Sequence, residues 1–327
     1  MLRKTRWIKF LIGFIIIAIL VWSIDINLLS AFKSIKYLYF LGFALIIPLI
    51  INPIISNNRW KIFLKVQGID EHFFSLVKIN FVSVFFGILL PSSTGFDAIR
   101  IYIIEKRNKK QKGGGGASVV IERLLGFYIL SVIGIIGSIF ALKHQLSKDL
   151  LFSIIAINIC ITLVFIIFKN QFLFHKINIL FSKVKRFKRL NNYLSLLYSS
   201  LNSFPLKNVL LSTIPLILLF QFSSIICGFL IFKAFNVNIP FFYHLAFLPL
   251  ISIISIIPVS ISGFGLREGG FVYFYGLLGI DGNICFLSSL IYYFILMIIP
   301  AIIGFLIYVF GPDQFKIIKN ELDKKND

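Results

Sequence analysis

Long apolar runs separated by short basic segments dominate the pattern along the chain. A membrane-spanning helix needs about 20 predominantly apolar residues. Two apolar regions, 73–104 and 241–282, are interrupted near the middle by Pro, Ser and Gly. The uninterrupted candidates are 7–24, 37–56, 117–142, 150–168, 206–233 and 283–311. The pattern predicts an all-α, polytopic integral membrane helical bundle with about six full spans and two broken or re-entrant segments.

The composition agrees with a membrane protein. Of the 327 residues, 58% are hydrophobic and 14% are charged, whereas soluble domains carry about 25% charged residues. The net charge of +20 would suggest nucleic acid as a partner of a soluble protein. Here the Lys and Arg residues lie mostly in short segments between apolar runs, as the positive-inside rule predicts. We therefore expect membrane lipids as partners and no nucleic acid.

The distribution of Lys and Arg predicts the orientation of the chain. Segment 73–104 is flanked by basic residues on both sides and should enter and leave from the cytoplasm, whereas 241–282 should enter and leave from outside. Broken segments of opposite orientation suggest an inverted repeat, as in many transporters. We predict one transmembrane domain, 1–311, in the cell membrane. A cytoplasmic tail, 312–327, follows, and both termini face the cytoplasm.

Both broken segments carry a related sequence at the break. "PSSTGFDAIR" (91–100) and "PVSISGFGLR" (258–267) each combine Pro, hydroxylated residues, Gly-Phe and Arg. Non-helical backbone at membrane depth is tolerated where it is buried in protein or lines a cavity. The sequence therefore predicts a polar cavity at the breaks, with backbone hinges at Pro91, Gly95, Pro258, Gly263 and Gly265.

Charged residues inside apolar runs are the candidate binding residues, because a charge at mid-bilayer costs about 2.5–3.5 kcal/mol on insertion scales. Arginine suits phosphate, since its guanidinium donates two parallel hydrogen bonds. The candidates are Asp97, Arg100, Glu122, Arg123, Arg267 and Glu268. Purely structural roles remain open: Asp97 as a helix cap, Glu122 with Arg123 as an interfacial ion pair, and Arg267 with Glu268 as a buried packing pair. We assign no catalytic residue, cofactor or metal site.

Three sequence motifs carry a resemblance to a known family. "GFDAIR", "SVVIERLLG" and "SGFGLREGG" resemble the signature segments of the lysylphosphatidylglycerol synthetase transmembrane (flippase-like) family. That family typically shows Gly-Gly-Asp-x-x-Arg, then Glu-Arg, then Gly-x-Gly-x-Arg-Glu. Phe96 replaces the second glycine of the first motif. The matching residues are Gly95, Asp97 and Arg100, then Glu122 and Arg123, then Gly263, Gly265, Arg267 and Glu268.

The resemblance implies a membrane lipid flippase or related transporter, free-standing and without the family's synthase domain. The expected substrate is a phospholipid, with or without an aminoacyl group, or a polyprenyl-phosphate-linked lipid, with Arg100 and Arg267 binding its phosphate. One alternative is a membrane glycosyltransferase or headgroup transferase using Asp97 or Glu122. Another is a non-transporting partner of a separate synthase or glycan enzyme. The four glycines at 113–116 predict a flexible linker.

Overall fold

The computed structural model describes residues 32–89, 95–111, 113–142, 206–257 and 263–311, with five isolated positions between 152 and 163. The predicted span 7–24, the tail 312–327 and most of the predicted span 150–168 lie outside the described residues. So do two predicted hinges, Pro91 and Pro258. Within the described ranges every regular element is helical.

Eight helices make up the described chain, and they confirm a polytopic membrane helical bundle. Four of them, α1 (Leu38–Val66), α4 (Gly114–Leu142), α5 (Leu206–Ala234) and α8 (Gly282–Phe310), are long and apolar enough to cross a membrane. At about 1.5 Å per residue, the 29 residues of α1 reach about 43 Å, well beyond the hydrocarbon thickness of about 30 Å. The bounds are α1 Leu38–Val66, α2 Phe73–Leu89, α3 Gly95–Arg107, α4 Gly114–Leu142, α5 Leu206–Ala234, α6 Phe241–Ile256, α7 Leu266–Gly276 and α8 Gly282–Phe310.

Helix α1 is longer than the predicted span 37–56, because it continues through the polar residues that follow. The side chain of Asn57 donates to the Pro53 carbonyl at 2.7 Å, and that of Asn58 donates to the Ile54 carbonyl at 2.9 Å. These local bonds satisfy the polar side chains within the helix itself. Arg59 is thereby carried into the protein interior, where it is 5% exposed.

The first broken segment forms a helical hairpin of α2 and α3, which we call hairpin 1. At its open end, Arg107 donates to Ser75 at 2.7 Å. At its closed end, the helices approach so closely that a Cβ on Gly87 would lie 2.5 Å from that of Phe96. The arms hold 17 and 13 residues, about 25 and 20 Å at about 1.5 Å per residue. Hairpin 1 therefore turns back within the membrane.

The second broken segment forms an equivalent hairpin of α6 and α7, which we call hairpin 2. His244 and Tyr275 are hydrogen-bonded at 2.8 Å nearer its open end. At its closed end, Gly263 has φ +74° and lies against the backbone of Ser255. Only glycine adopts this conformation readily, and a Cβ there would lie 2.7 Å from the Ser255 carbonyl oxygen. With arms of 16 and 11 residues, hairpin 2 is also re-entrant.

The two halves of the described chain form an inverted repeat. Each half consists of a long helix, a hairpin and a second long helix. The first helices of the halves, α1 and α5, run antiparallel: the Lys36 amide donates to the Ala234 carbonyl at 2.9 Å, and Ser223 donates to Asn52 at 2.6 Å. The halves therefore have opposite orientations, and the two hairpins enter from opposite faces.

The repeat extends to the packing between the halves. Helix α2 of hairpin 1 packs on α8 of the second half, and α6 of hairpin 2 packs on α4 of the first half. Glycines permit both contacts, because a Cβ on Gly304 would strike the backbone of Phe81, and a Cβ on Gly137 would strike that of Ala246. Four features recur 167 positions later (214 minus 47): IPLI at 47–50 and 214–217, Pro91 and Pro258, Arg100 and Arg267, Gly137 and Gly304.

The glycines at 113–116 are not a linker, contrary to the sequence prediction. All four are buried, and Gly114 is the first residue of α4. The Glu105 carboxylate accepts hydrogen bonds from the amides of Gly113 at 2.9 Å and Gly116 at 3.1 Å. A carboxylate is favoured at this end of a helix because the unpaired amides and the helix dipole present positive charge there.

Candidate functional site

Five charged side chains from three helices meet in the interior, and we call them the charged cluster: Arg59, Asp97, Arg100, Glu122 and Arg123. Asp97 accepts a hydrogen bond from Arg100 at 3.0 Å and another from Arg123 at 2.6 Å. Glu122 lies 2.9 Å from Arg100 through one oxygen and bonds to Arg59 through the other. The cluster therefore links α1, α3 and α4 into one network.

Local structure explains how these side chains converge. Asp97 lies in the first turn of α3, where the helix dipole favours an acid. Arg100 follows three residues later and therefore lies on the same face of α3. Glu122 and Arg123 are adjacent in α4, so their side chains leave the helix in different directions and reach different partners. Asp97 thus does more than cap a helix, because it bridges two arginines.

The charged cluster is buried and carries excess positive charge. Four of its side chains are between 3% and 9% exposed, whereas Arg123 is 34% exposed. Three arginines against two carboxylates leave a formal charge of +1. Among the described residues, three buried atoms of the cluster have no hydrogen-bond partner: Nε of Arg59, Nε of Arg100 and one carboxylate oxygen of Glu122. A buried polar atom without a partner costs about 1–3 kcal/mol. The excess positive charge is what makes the cluster suited to accept an anion.

Aromatic rings hold the arginine planes. The guanidinium carbon of Arg100 lies 4.5 Å from the ring centroid of Trp60, and that of Arg123 lies 4.5 Å from the ring of Phe96. Arg59 lies 4.9 Å from Phe220. Trp60 is itself fixed by a hydrogen bond to Ser118 at 3.1 Å. Cation–π contacts of this kind strengthen when desolvated, so the arginines are positioned in advance of any ligand.

A cavity of about 190 Å³ adjoins the charged cluster. Its lining combines charged and amide side chains with an apolar wall that includes Met297 and Pro300 of α8. The walls come from both halves of the repeat. The lining residues are Pro48, Asn52, Pro53, Ser56, Asn57 and Arg59 of α1; Asn80, Phe81 and Val84 of α2; Phe96 and Arg100 of α3; Glu122, Arg123, Gly126 and Phe127 of α4; Phe220 and Gln221 of α5; and Leu296, Met297 and Pro300 of α8.

Arg267 and Glu268 occupy a separate place, at the start of α7. Glu268 contacts Arg267 and accepts a hydrogen bond from the Gly265 amide at 2.6 Å. Arg267 lies 4.0 Å from the ring centroid of Tyr293. Neither side chain is among those that line the cavity. The structure thus brings together Asp97, Arg100, Glu122 and Arg123, and it places the pair from hairpin 2 elsewhere.

Arg59 is the member of the charged cluster that sequence reasoning missed. Arg59 lies in the basic segment 57–72, which precedes the first broken segment and which the positive-inside rule explains without reference to the interior. A signal was present, because Asn52, Ser56 and Arg59 are spaced i, i+4 and i+7. That spacing places polar side chains on one face of a helix, and all three line the cavity.

Comparison with known proteins identifies the family. A family model described as the lysylphosphatidylglycerol synthase TM region matches residues 6–304. A UPF0104 membrane protein of Methanocaldococcus jannaschii is 27% identical over 247 residues, which cover 74% of this chain and 97% of that protein. A UPF0104 membrane protein of Methanothermobacter thermautotrophicus is 27% identical over 243 residues, covering 69% and 72%. No solved structure matches. The three sequence motifs and the family model agree, and this chain is a member of the lysylphosphatidylglycerol synthase TM region family.

Proposed function

We propose that the protein is a lipid transporter of the cytoplasmic membrane, which moves a phosphate-bearing lipid from one leaflet to the other. The observation that carries the proposal is the charged cluster, whose three arginines exceed its two carboxylates beside a cavity between inverted halves. Buried charges in membrane segments are costly and typically mark substrate pathways. Binding sites at the interface of inverted repeats are typical of transporters.

The cavity is suited to hold a lipid headgroup. The guanidinium groups of Arg59 and Arg100, which line the cavity, would bind phosphate oxygens, because hydrogen bonds between arginine and phosphate are charge-assisted. The apolar wall that includes Met297 and Pro300 would contact the glycerol and the first carbons of the acyl chains. The remaining chain length stays in the bilayer, so that a cavity of this size needs to enclose only the headgroup.

The test is lipid movement in sealed proteoliposomes that contain fluorescent phospholipids of several headgroups. A membrane-impermeant quencher reports the outer leaflet. The variant is Arg100→Gln, which leaves each carboxylate of the cluster with one arginine and should therefore fold. Losing a charge-assisted bond of about 1.5–3 kcal/mol slows transport by about 10- to 150-fold. The matched control is Lys65→Gln. This change also removes one positive charge, but from an exposed side chain that does not line the cavity.

Two results would overturn the proposal. One is transport by Arg100→Gln at the wild-type rate with protein levels unchanged. The other is a wild-type protein that moves none of the lipids and co-purifies with a separate synthase or glycan enzyme, which would favour the partner-subunit alternative. Product formation from a nucleotide-activated donor would favour the transferase alternative.

A further inference from the structure

We infer that the charged cluster selects a lipid headgroup with a single negative charge and no amine, such as a phosphodiester of glycerol. This inference rests on the proposed function only in assuming that the cavity holds a headgroup. It concerns which headgroup binds and does not depend on whether the lipid crosses the membrane. A site with this preference would disfavour lysylphosphatidylglycerol, the cationic lipid for which the family is named.

Both carboxylates of the cluster form ion pairs with arginines. Asp97 uses one oxygen for Arg100 and the other for Arg123, at 3.0 and 2.6 Å. Glu122 bonds to Arg59 through one oxygen, and its other oxygen lies 2.9 Å from Arg100 without a hydrogen-bond partner among the described residues. Arg100, which is ion-paired to this oxygen, would repel an ammonium group that approached it. An ammonium group needs a carboxylate or several carbonyl oxygens to replace its hydration shell. Among the described residues that line the cavity, Glu122 is the only acid.

Two of the phenylalanine rings that line the cavity already face an arginine. Rings that line a cavity can enclose a cationic ligand through cation–π contacts. Here the ring of Phe96 already has Arg123 at 4.5 Å, and the ring of Phe220 has Arg59 at 4.9 Å. A ligand amine would therefore meet guanidinium groups of its own sign at both rings.

Charge balance sets the preferred ligand charge. The cluster carries a formal +1, so one monoanionic phosphodiester makes the site neutral. A neutral site is favoured because a residual charge in a poorly solvated environment is costly. A zwitterionic headgroup would leave the +1 in place, and a headgroup with two amines would increase the positive charge. The volume of about 190 Å³, below the about 300–1,000 Å³ typical of drug-sized pockets, also favours a compact headgroup.

The experiment is equilibrium binding to the purified full chain in detergent. Native mass spectrometry would count lipids retained from an equimolar mixture of phosphatidylglycerol, phosphatidylethanolamine, phosphatidic acid and lysylphosphatidylglycerol with identical acyl chains. We expect phosphatidylglycerol to be retained at least about tenfold over both amine-bearing lipids, which corresponds to about 1.4 kcal/mol. Added soluble glycerophosphoglycerol separates the two sources of phosphate: it should compete weakly if the lipid is the ligand and fully if a free phosphodiester is.

A gain-of-function variant makes the test sharper. Asn80 lines the cavity, and within the described part of the chain its amide makes two long hydrogen bonds, 3.4 Å to Ser56 and 3.4 Å to Asn57. Asn80→Asp supplies an additional carboxylate at the same size and brings the formal charge of the site to zero. Retention of the amine-bearing lipids relative to phosphatidylglycerol should rise. Asn58→Asp is the matched control. It makes the same chemical change at a residue that is exposed and does not line the cavity.

Each result has one meaning. Equal or tighter retention of either amine-bearing lipid by the wild type overturns the inference, as does a clear preference for the dianionic monoester phosphatidic acid. Retention of no lipid overturns the assignment of the cavity to a headgroup. If phosphatidylglycerol is selected but no lipid moves in proteoliposomes, the proposed function fails and the selectivity stands. If lipids move with the opposite headgroup order, only the selectivity fails.

Discussion

Replacing Glu122 by glutamine removes the charge that holds Arg59 and Arg100 together. The carboxylate lies 2.9 Å from Arg100, contacts Arg59, and belongs to a side chain that is 5% exposed. Glutamine keeps the size and shape of the side chain and loses its charge. Two buried guanidinium groups then face each other without the acid between them.

The size of the effect follows from the geometry. At 2.9 Å and an effective dielectric constant of about 20, the attraction between Glu122 and Arg100 is about 6 kcal/mol before desolvation is counted. Removing one partner of a buried ion pair typically costs about 3–5 kcal/mol, since the other charge is left uncompensated. We expect the free energy of unfolding to fall by about 3–5 kcal/mol rather than by the full attraction of about 6 kcal/mol. Arg100 keeps its bond to Asp97, which compensates part of its charge.

The assay is equilibrium unfolding of the purified protein by SDS in mixed micelles. The double variant Arg59→Gln/Glu122→Gln removes both charges and should recover part of the loss, with a coupling of about 0.5–3 kcal/mol. The control is Glu71→Gln, because Glu71 pairs with Arg107 at 3.5 Å in a more exposed setting, where an ion pair contributes about 0–1 kcal/mol. The single variant Arg59→Gln completes the cycle. If Glu122→Gln is as stable as the wild type, or if the effects of Arg59→Gln and Glu122→Gln simply add in the double variant, Glu122 is not the counter-ion that the geometry indicates.

Three further predictions concern the fold. Gly304→Val should prevent α2 from packing on α8 and abolish stable folding, whereas Gly42→Val should be tolerated because a Cβ there meets nothing within 4 Å; thermal unfolding of both variants checks this. Glu105→Gln should speed hydrogen exchange of the amides at the start of α4 by loosening the bonds that its carboxylate accepts there, and unchanged exchange would contradict that role. Lys110 and Gly279 lie at the open ends of hairpins 1 and 2. In a cysteine-free background, a single cysteine at either position should react with an impermeant thiol reagent, and the two should react from opposite sides of sealed vesicles. Labelling of both from the same side would disprove the inverted repeat.

Much of the fold could be predicted from the sequence because a bilayer imposes simple rules. Long apolar runs become spans, and Pro and Gly within such runs mark re-entrant segments. The predicted broken segments 73–104 and 241–282 correspond to hairpins 1 and 2. The boundary of α1 was not predicted, because a hydropathy window ends at Asn57 and cannot register amides that bond to the preceding turn.

The candidate site was predicted only in part, for two physical reasons. Asp97, Arg100, Glu122 and Arg123 interrupt or closely adjoin apolar runs, so their cost in the membrane makes them visible. Arg59 lies in a polar stretch, where the positive-inside rule explains any basic residue without reference to the interior.

Arg267 and Glu268 of hairpin 2 lie apart from the charged cluster, which the sequence analysis did not predict. Arg267 is the counterpart of Arg100 in the repeat, but the position that corresponds to Glu122, 167 residues later, is Ser289. Without that acid, the second half lacks the anchor that draws Arg100 into the charged cluster. The difference can be read from the sequence once the two halves are known to be repeats offset by 167 residues.

The exchange of hairpins between the halves has a consequence for biosynthesis. Helix α2 packs on α8, which is the last described helix to leave the ribosome. Synthesis from Leu89 to Phe310 takes about 10–40 s at about 5–20 residues per second. During that interval hairpin 1 has no α8 to cover it, and the cavity lacks the wall that Met297 and Pro300 provide. All five residues of the charged cluster, however, belong to the first half and can form their ion pairs as soon as α4 is inserted, which leaves a net charge of only +1. The order of the chain thus lets the costly charges enter the membrane as a compensated group, and the cavity beside them closes last.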